Sequence, residues 1–283
     1  VTPPSSWAPG AGEWSGAGPD LVTGAATLRA LHRPGDPVVL PNVWDVPSAR
    51  AVEAAGFPAV ATSSAALAET LGHADGETAP VGEILDAIAR IVRAVGVPVT
   101  ADVERGFRLS PAELVERLAA AGVAGCNLED SDPATGAMVD SARQADFLSA
   151  IRAAARSAGV DLVVNARIDV FLRSTGTHDA LTDAVDRARR YLAAGADCVF
   201  PILLDDPATV GAFVGEAGGA VNILGRLDGP PSVAELAALG VARISFGARV
   251  HAAVRRQHAD LLVVLRRPAA VTDPTGPASA SLQ

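Results

Sequence analysis

Lysine is missing altogether from the 283 residues, so all 23 basic side chains are arginine. Without an amine to form a Schiff base, aldolase-type chemistry would need a metal to hold the enolate. Cysteine is almost missing too. Cys126 and Cys198 each lie in an apolar, strand-like run, where they read as buried reduced thiols rather than a disulfide or a nucleophile. Basic excess is absent. The net charge of -9 and the lack of any basic, aromatic-interleaved stretch exclude a nucleic-acid surface and attachment to anionic membranes. No apolar run approaches the ~20 residues of a membrane span. Residues 1–7 lack a charged-then-apolar signal pattern, and the expected protein is soluble and cytoplasmic. No Gly-x-Gly-x-x-Gly turn follows the first strand, which argues against a dinucleotide-binding fold.

What is present is a large apolar content, 49% of residues, ample for one large domain. From Val38 onward, short β-branched runs alternate with alanine-rich helical stretches. Eight such pairs can be counted, with strand cores at 38–40, 59–62, 97–100, 124–128, 162–165, 198–200, 220–223 and 243–246. Ser110-Pro111-Ala112-Glu113 and Ser232-Val233-Ala234-Glu235 read as helix-starting capping boxes. Gly56, Gly96, Gly122, Gly159, Gly195 and Gly240 fall where a helix needs a left-handed residue before the next strand. Eight β/α units in about 250 residues favour a closed (β/α)8 barrel, a TIM barrel, over an open sheet. Residues 1–24, rich in Pro, Gly, Ser and Ala, read as a flexible arm carrying Trp7 and Trp14. Residues 25–267 form the single barrel domain, its last helix at about 248–267, and residues 268–283 read as a disordered tail.

Barrel chemistry lies at the C-terminal ends of the strands. The third strand runs out through Val99-Thr100-Ala101-Asp102-Val103-Glu104-Arg105-Gly106-Phe107. Asp102 and Glu104 are two apart, leave an extended backbone from one face, and can converge on one cation. The next strand also ends in acid, at Glu129 and Asp130. Like charges so crowded call for a cation or a proton between them. Hard oxygen donors with no histidine or thiolate cluster suit Mg²⁺, or Mn²⁺, better than Zn²⁺. Arg167 ends the fifth strand beside these acids; it can close a salt bridge to Glu129 or Asp169, grip a substrate carboxylate or phosphonate bidentately, or do both. Ser63 and Ser64 with the following amides offer a second anion cradle. Asn222, at the end of the seventh strand, is an expected substrate contact.

The set of motifs resembles the isocitrate lyase/phosphoenolpyruvate mutase superfamily. The likeness runs in order through Asn42-Val43-Trp44-Asp45-Val46-Pro47, Thr62-Ser63-Ser64, Leu71-Gly72-His73-Ala74-Asp75, Asp102-Val103-Glu104-Arg105-Gly106-Phe107, Asn127-Leu128-Glu129-Asp130, Asn165-Ala166-Arg167-Ile168-Asp169 and Arg243-Ile244-Ser245-Phe246-Gly247. It implies a barrel that binds Mg²⁺ and a 2-oxo carboxylate and stabilises an enolate-like species. By position, Asp102, Glu104 and Glu129 would form the metal site, directly or through waters, with Asp75 a further acid. Ser63, Ser64 and the amide of Ala65 would hold the substrate carboxylate, and Arg167 its other end. The resemblance also implies a last helix swapped between subunits, hence a homodimer or homotetramer.

One segment departs from it. Lyases of the superfamily carry a Lys/Arg-Cys-Gly-His loop after the fourth strand, and its mutases a loop with lysine and asparagine. Here the loop reads Ser131-Asp132-Pro133-Ala134-Thr135-Gly136-Ala137-Met138-Val139-Asp140. The expected activity is a Mg²⁺-dependent carbon–carbon lyase or decarboxylase acting on a small 2-oxo or 2-hydroxy dicarboxylate. Its proton would come from water, Asp75, His73 or Asp132. A mutase or hydrolase acting on a phosphonate or an oxaloacetate-like substrate is the alternative, and a non-catalytic metabolite-binding barrel is the alternative of another class.

Overall fold

A computed structural model describes residues 20–173 and 177–266. The arm residues 1–19 with Trp7 and Trp14, and the tail 268–283, lie outside the described residues. The strands are β1 (Val38–Leu40), β2 (Asn42–Val43), β3 (Val60–Thr62), β4 (Val99–Asp102), β5 (Gly125–Glu129), β6 (Val163–Ile168), β7 (Cys198–Pro201), β8 (Ala220–Leu224) and β9 (Arg243–Ser245). The helices are α1 (Leu21–Ala30), α2 (Val46–Ala54), α3 (Ser64–Thr70), α4 (Val81–Ala94), α5 (Pro111–Ala120), α6 (Ser141–Ser157), α7 (Val170–Arg173), α8 (Thr177–Ala193), α9 (Pro207–Ala217), α10 (Val233–Ala238) and α11 (Arg249–Arg266).

All pairings are parallel. Nine strands appear where eight were expected because the first is interrupted at Pro41, which has no N–H to donate. Its first half, β1, pairs with β9 (Val39 opposite Ile244), and its second half, β2, pairs with β3 (Asn42 opposite Ala61). The two halves together close the TIM barrel.

The helices earn their places by apolar spacing. In α4, Ile84, Leu85, Ile88 and Ile91 form one buried stripe, and in α5 Leu114, Val115 and Leu118 do the same. These pack on the outward faces of the strands in one continuous core. A smaller cluster, Leu28 with Val38, Leu40, Ala59, Ala61, Ala124 and Val163, lies where α1 plugs the barrel floor. The plug begins at Leu21, so residues 21–24 belong to a helix capped by Asp20 rather than to the arm.

Five of the six expected glycines have positive φ; Gly96 does not, and its N–H donates instead to Glu53 Oε1 at 2.6 Å. The Ser232–Glu235 box forms in both directions. At Ser110 only the serine caps, because Glu113 turns to Arg117. Both cysteines are free and buried. Burial pushes their thiols up to about 12, leaving them unreactive. Among the described residues no helix is long and apolar enough to cross a membrane.

The floor is locked by charge. Asp197 takes Arg29 Nε at 2.8 Å and Arg152 Nη2 at 2.5 Å, and its carboxylate also accepts the Val164 N–H. Burial opposes its ionisation, but these partners prevail and its pKa falls below 3.8. A lowered folded pKa means the contribution is complete above the unfolded value and lost as pH falls through the folded one. Replacing Asp197 by Ala leaves Arg152 partly buried without its partner and should cost about 2–3 kcal/mol. Urea unfolding at pH 7 would measure this, and a loss below about 0.5 kcal/mol would make the network a solvated surface pair.

Candidate active site

At the C-terminal ends of β4, β5 and β6 the side chains of Asp102, Glu129 and Arg167 stand side by side, since Asp102 is in register with Asn127, and Glu129 with Arg167. Each acid has its own anchor. Asp102 Oδ2 accepts from Ser64 Oγ at 2.9 Å and from the Ser64 N–H at 3.3 Å. Glu104 Oε2 accepts the Glu77 N–H at 2.7 Å. Glu129 Oε2 lies 2.6 Å from Arg167 Nη1, and Arg167 Nε donates to Asp169 Oδ1 at 2.6 Å. Arg167 is thus shared by two carboxylates. Burial works against its charge, but Glu129, Asp169 and Asp102 hold it firmly protonated.

The acids outnumber that arginine. Burial first, then Asp75 and Asp102, pushes Glu104 up to about 8. For Glu129, burial outweighs the opposing Arg167, and Asp169, Asp102 and Glu104 add to the upward shift. Asp75, at the solvent-facing rim, is raised by partial desolvation and by Asp102. Crowded carboxylates whose ionisation is disfavoured are what a divalent cation relieves. Among the described residues no three acids, histidines or cysteines already converge as a closed chelate. Asp102, Glu104 and Glu129 are the residues that could hold a cation here, and their hard oxygens suit Mg²⁺.

The loops that carry these acids are strained. Glu77, Glu104, Phe107 and Arg108 all have φ between +49° and +58°, unusual for residues with a side chain. The two loops lock reciprocally, since the Phe107 N–H donates back to Glu77 Oε1 at 2.7 Å. Gly106, at φ +94°, has no room for a Cβ, which would lie 2.9 Å from Leu114 Cδ2.

Other expected site residues are used differently. Ser63 caps α3, its Oγ accepting from the Ala66 N–H at 3.4 Å, and Ala65 lies in the first turn of that helix. His73 Nε2 lies 3.4 Å from Glu83 on α4 and has no contact with the acid group. Asn222 pairs with Ser245, Nδ2 to Oγ at 3.1 Å, deep in the barrel. Asp132 accepts the N–H groups of Ala134 and Thr135, which hold its pKa low and unsuit it as a proton donor at neutral pH. The loop around it is a tight hairpin, with Ser131 bridging Met138 and the Val139 N–H donating to Asp130 O at 2.8 Å.

Four residues were not anticipated. Glu77 is one. Arg187 and Tyr191 on α8 grip Asp130 Oδ2 at 3.0 and 2.7 Å, and Asp130 Oδ1 accepts the Asp169 N–H at 2.8 Å. Arg243 is fully buried on β9 and reaches across the barrel to donate from Nη2 to Asn127 Oδ1 at 3.1 Å. A cation in an apolar strand was the only signal for it.

A family model described as phosphoenolpyruvate phosphomutase matches residues 28–263. The chain belongs to this family, within the isocitrate lyase/phosphoenolpyruvate mutase superfamily. It is similar to the uncharacterized protein Rv1998c of Mycobacterium tuberculosis, 37% identical over 222 residues, which span 78% of this chain and 81% of that one. It is also similar to the oxaloacetate decarboxylase of Rhodopseudomonas palustris, 33% identical over 185 residues, 61% of each chain. Among solved structures it resembles oxaloacetate acetylhydrolase in complex with the product oxalate, with 26% identity, a TM-score of 0.77, and coverage of 89% of this chain and 92% of that one. The superfamily comprises lyases, decarboxylases and mutases that act on 2-oxo acids.

Because the folded pKa of Glu104, about 8, exceeds its ordinary 4.5, the native state binds more protons than the unfolded chain between these values and loses stability as pH rises. His32 works the other way, held near 4 against an ordinary 6.5, and its opposing contribution fades by about pH 7.5. Between pH 6.5 and 8 the metal-free protein should therefore lose up to ~1.4 kcal/mol per pH unit through Glu104. Glu104→Gln should show a shallower slope, the remainder coming from Glu129, whose carboxyl burial also pushes up to about 8, and Mg²⁺ should flatten the slope in the wild type. Equal slopes in thermal melts of the two proteins would contradict the assignment.

Proposed function

We propose that the protein is a Mg²⁺-dependent carbon–carbon lyase or decarboxylase acting on a small 2-oxo or 2-hydroxy dicarboxylate through an enolate-like intermediate. The observation that carries this reading is the buried acid group around a single arginine at the catalytic end of the barrel, with Glu104 pushed up to about 8. Asp102 would hold the metal directly, with Glu104 and Glu129 supporting it through water; Mn²⁺ would fit the same oxygens. When bound, the metal supplies a Lewis acid for the negative charge that develops on the substrate's carbonyl oxygen.

The chain's own residues do the rest. Arg167, kept charged and oriented by Glu129 and Asp169, presents its remaining donors to the distal carboxylate of the substrate. The amide of Ala65, at the start of α3, receives the carboxylate next to the carbonyl, with Ser63 fixing the turn and Ser64 turning from Asp102 to join it once the metal takes that carboxylate. Asp75, open to solvent and raised in pKa, exchanges the proton between the enolate carbon and water. The hairpin at 131–140 contributes neither cysteine, lysine nor histidine, which supports assigning the proton transfer to Asp75 or water in this reading. The match to the phosphomutase family model favours the second reading, a mutase or hydrolase on a phosphonate.

Asp102→Ala should abolish turnover of oxaloacetate and related 2-oxo acids with Mg²⁺ while preserving the fold; full activity of this variant under chelator would sink the metal assignment. Arg167→Lys should raise KM by about tenfold or more, since the bidentate fork is lost. An unchanged KM would confine Arg167 to its salt bridges.

The same reading includes a homo-oligomer, a homodimer or homotetramer. The first half of α11 is tied to its own barrel, where His251 stacks near Trp44 at 4.6 Å and Arg255 pairs with Glu69. The second half exposes Leu261, Leu262, Val263, Val264 and Leu265, a run suited to a neighbouring subunit. Light scattering of Val264→Asp should give a smaller particle than the wild type; identical masses would remove α11 from the interface.

A further inference from the structure

Three arginines converge on a cavity that takes no part in the acid group. The cavity, about 250 Å³, is lined by Arg226, Leu227, Asp228, Arg249, Ala252 and Arg256. Arg226 follows the end of β8, and the other two arginines lie on α11, two turns apart and on one face, with small Ala252 between them. Counting β1 and β2 as the first barrel strand, the cavity lies beyond the seventh and eighth, where many (β/α)8 barrels seat a phosphate.

Three guanidinium groups face two carboxylates, Asp228 in the lining and Asp205 beside Arg226, which leaves a positive excess at the cavity. Arg249 Nη1 donates to the carbonyls of Gly225 at 2.6 Å and Leu224 at 3.3 Å, which orient it but do not neutralise it. Arg226 reaches the Asp228 carbonyl at 3.4 Å and an exposed carboxylate, Asp205, at 3.4 Å. Arg256 is exposed. Burial and the facing Arg226 lower the pKa of Arg249, against a smaller pull from Asp205. Two repelling guanidinium groups held around a hollow are a cost to the fold unless an anion lies between them.

We propose that this cavity binds the phosphoryl group of a small phosphorylated metabolite or free inorganic phosphate. A carboxylate has one charge and one planar edge, which a single guanidinium satisfies. A phosphate dianion has oxygens for three arginines approaching from different directions. The volume leaves room for a short organic remainder. None of the six lining residues is among those assigned to the lyase reaction, so binding here is independent of that reading.

The test is calorimetric titration of the metal-free full chain with inorganic phosphate, glycerol 3-phosphate or acetate, at matched ionic strength. Phosphate should bind, and Arg226→Gln and Arg256→Gln should each weaken it by about tenfold, the equivalent of one charged hydrogen bond. Arg256→Gln removes an exposed side chain and guards against a misfolded variant. Arg167→Lys, in the acid group, should leave phosphate affinity unchanged. Tighter binding of glycerol 3-phosphate than of phosphate would identify the ligand as a phosphomonoester, and equal binding would identify phosphate itself. The proposal is overturned if phosphate fails to bind at about 20 mM, if acetate binds equally well, if neither glutamine variant weakens binding, or if Arg167→Lys abolishes it.

Discussion

The catalytic end of this barrel is governed by a shortage of positive charge. Asp75, Asp102, Glu104, Glu129 and Asp169 crowd round Arg167, which is itself divided between two of them. In a buried setting each extra carboxylate must be protonated, paired with a cation or hydrogen-bonded to the backbone. All three solutions are visible. Glu104 favours its proton, Glu129 and Asp169 share the arginine, and Asp102 leans on Ser64 while Asp130 takes Arg187 and Tyr191. Such a crowding of buried carboxylates is unfavourable on its own terms.

The scaffold accommodates that cost by rigidity elsewhere. The acid-bearing loops are pinned by two hydrogen bonds from backbone to carboxylate, Glu77 N–H to Glu104 and Phe107 N–H to Glu77, in left-handed conformations that only a surrounding structure would hold. Below them, Arg243 crosses from β9 to Asn127, and Asn165 Nδ2 donates to the same oxygen at 2.9 Å. At the floor, Asp197 joins Arg29 of the plug helix to Arg152 of α6. Charge is therefore layered along the barrel axis: balanced at the bottom, positive in the middle and predominantly acidic at the top.

How much of this could be read from the chain follows from the range of each interaction. The strands and their order were legible because every β/α unit repeats a local signal of cap, apolar stripe, glycine and β-branched run. Asp102, Glu129 and Arg167 were legible because strand ends in a barrel share one location. Glu77, Arg187, Tyr191 and Arg243 were not, since each acts on a residue between 27 and 116 positions away and carries no local signature. His73 is close in sequence to Asp75, but its ring lies towards Glu83 on α4. Asp45, just after β2, is a helix cap, accepting the Ser48 N–H at 2.8 Å. Pro41 was in plain view, yet its effect depends on both neighbours of the first strand, β9 and β3, being in place.

The broken first strand has a consequence for the order in which the molecule can assemble. Val38 to Leu40 find their partners in Arg243 to Ser245, more than two hundred residues later. During synthesis the plug helix and β1 emerge first, but the seam they close is completed last. Leu28 packs on residues from 38 to 163, but the strand edge at 38–40 has its ladder partner only in β9, a long-range contact of the kind that slows folding. The seam on either side of Pro41 thus joins a three-residue ladder to the far end of the barrel with a two-residue ladder to its near neighbour.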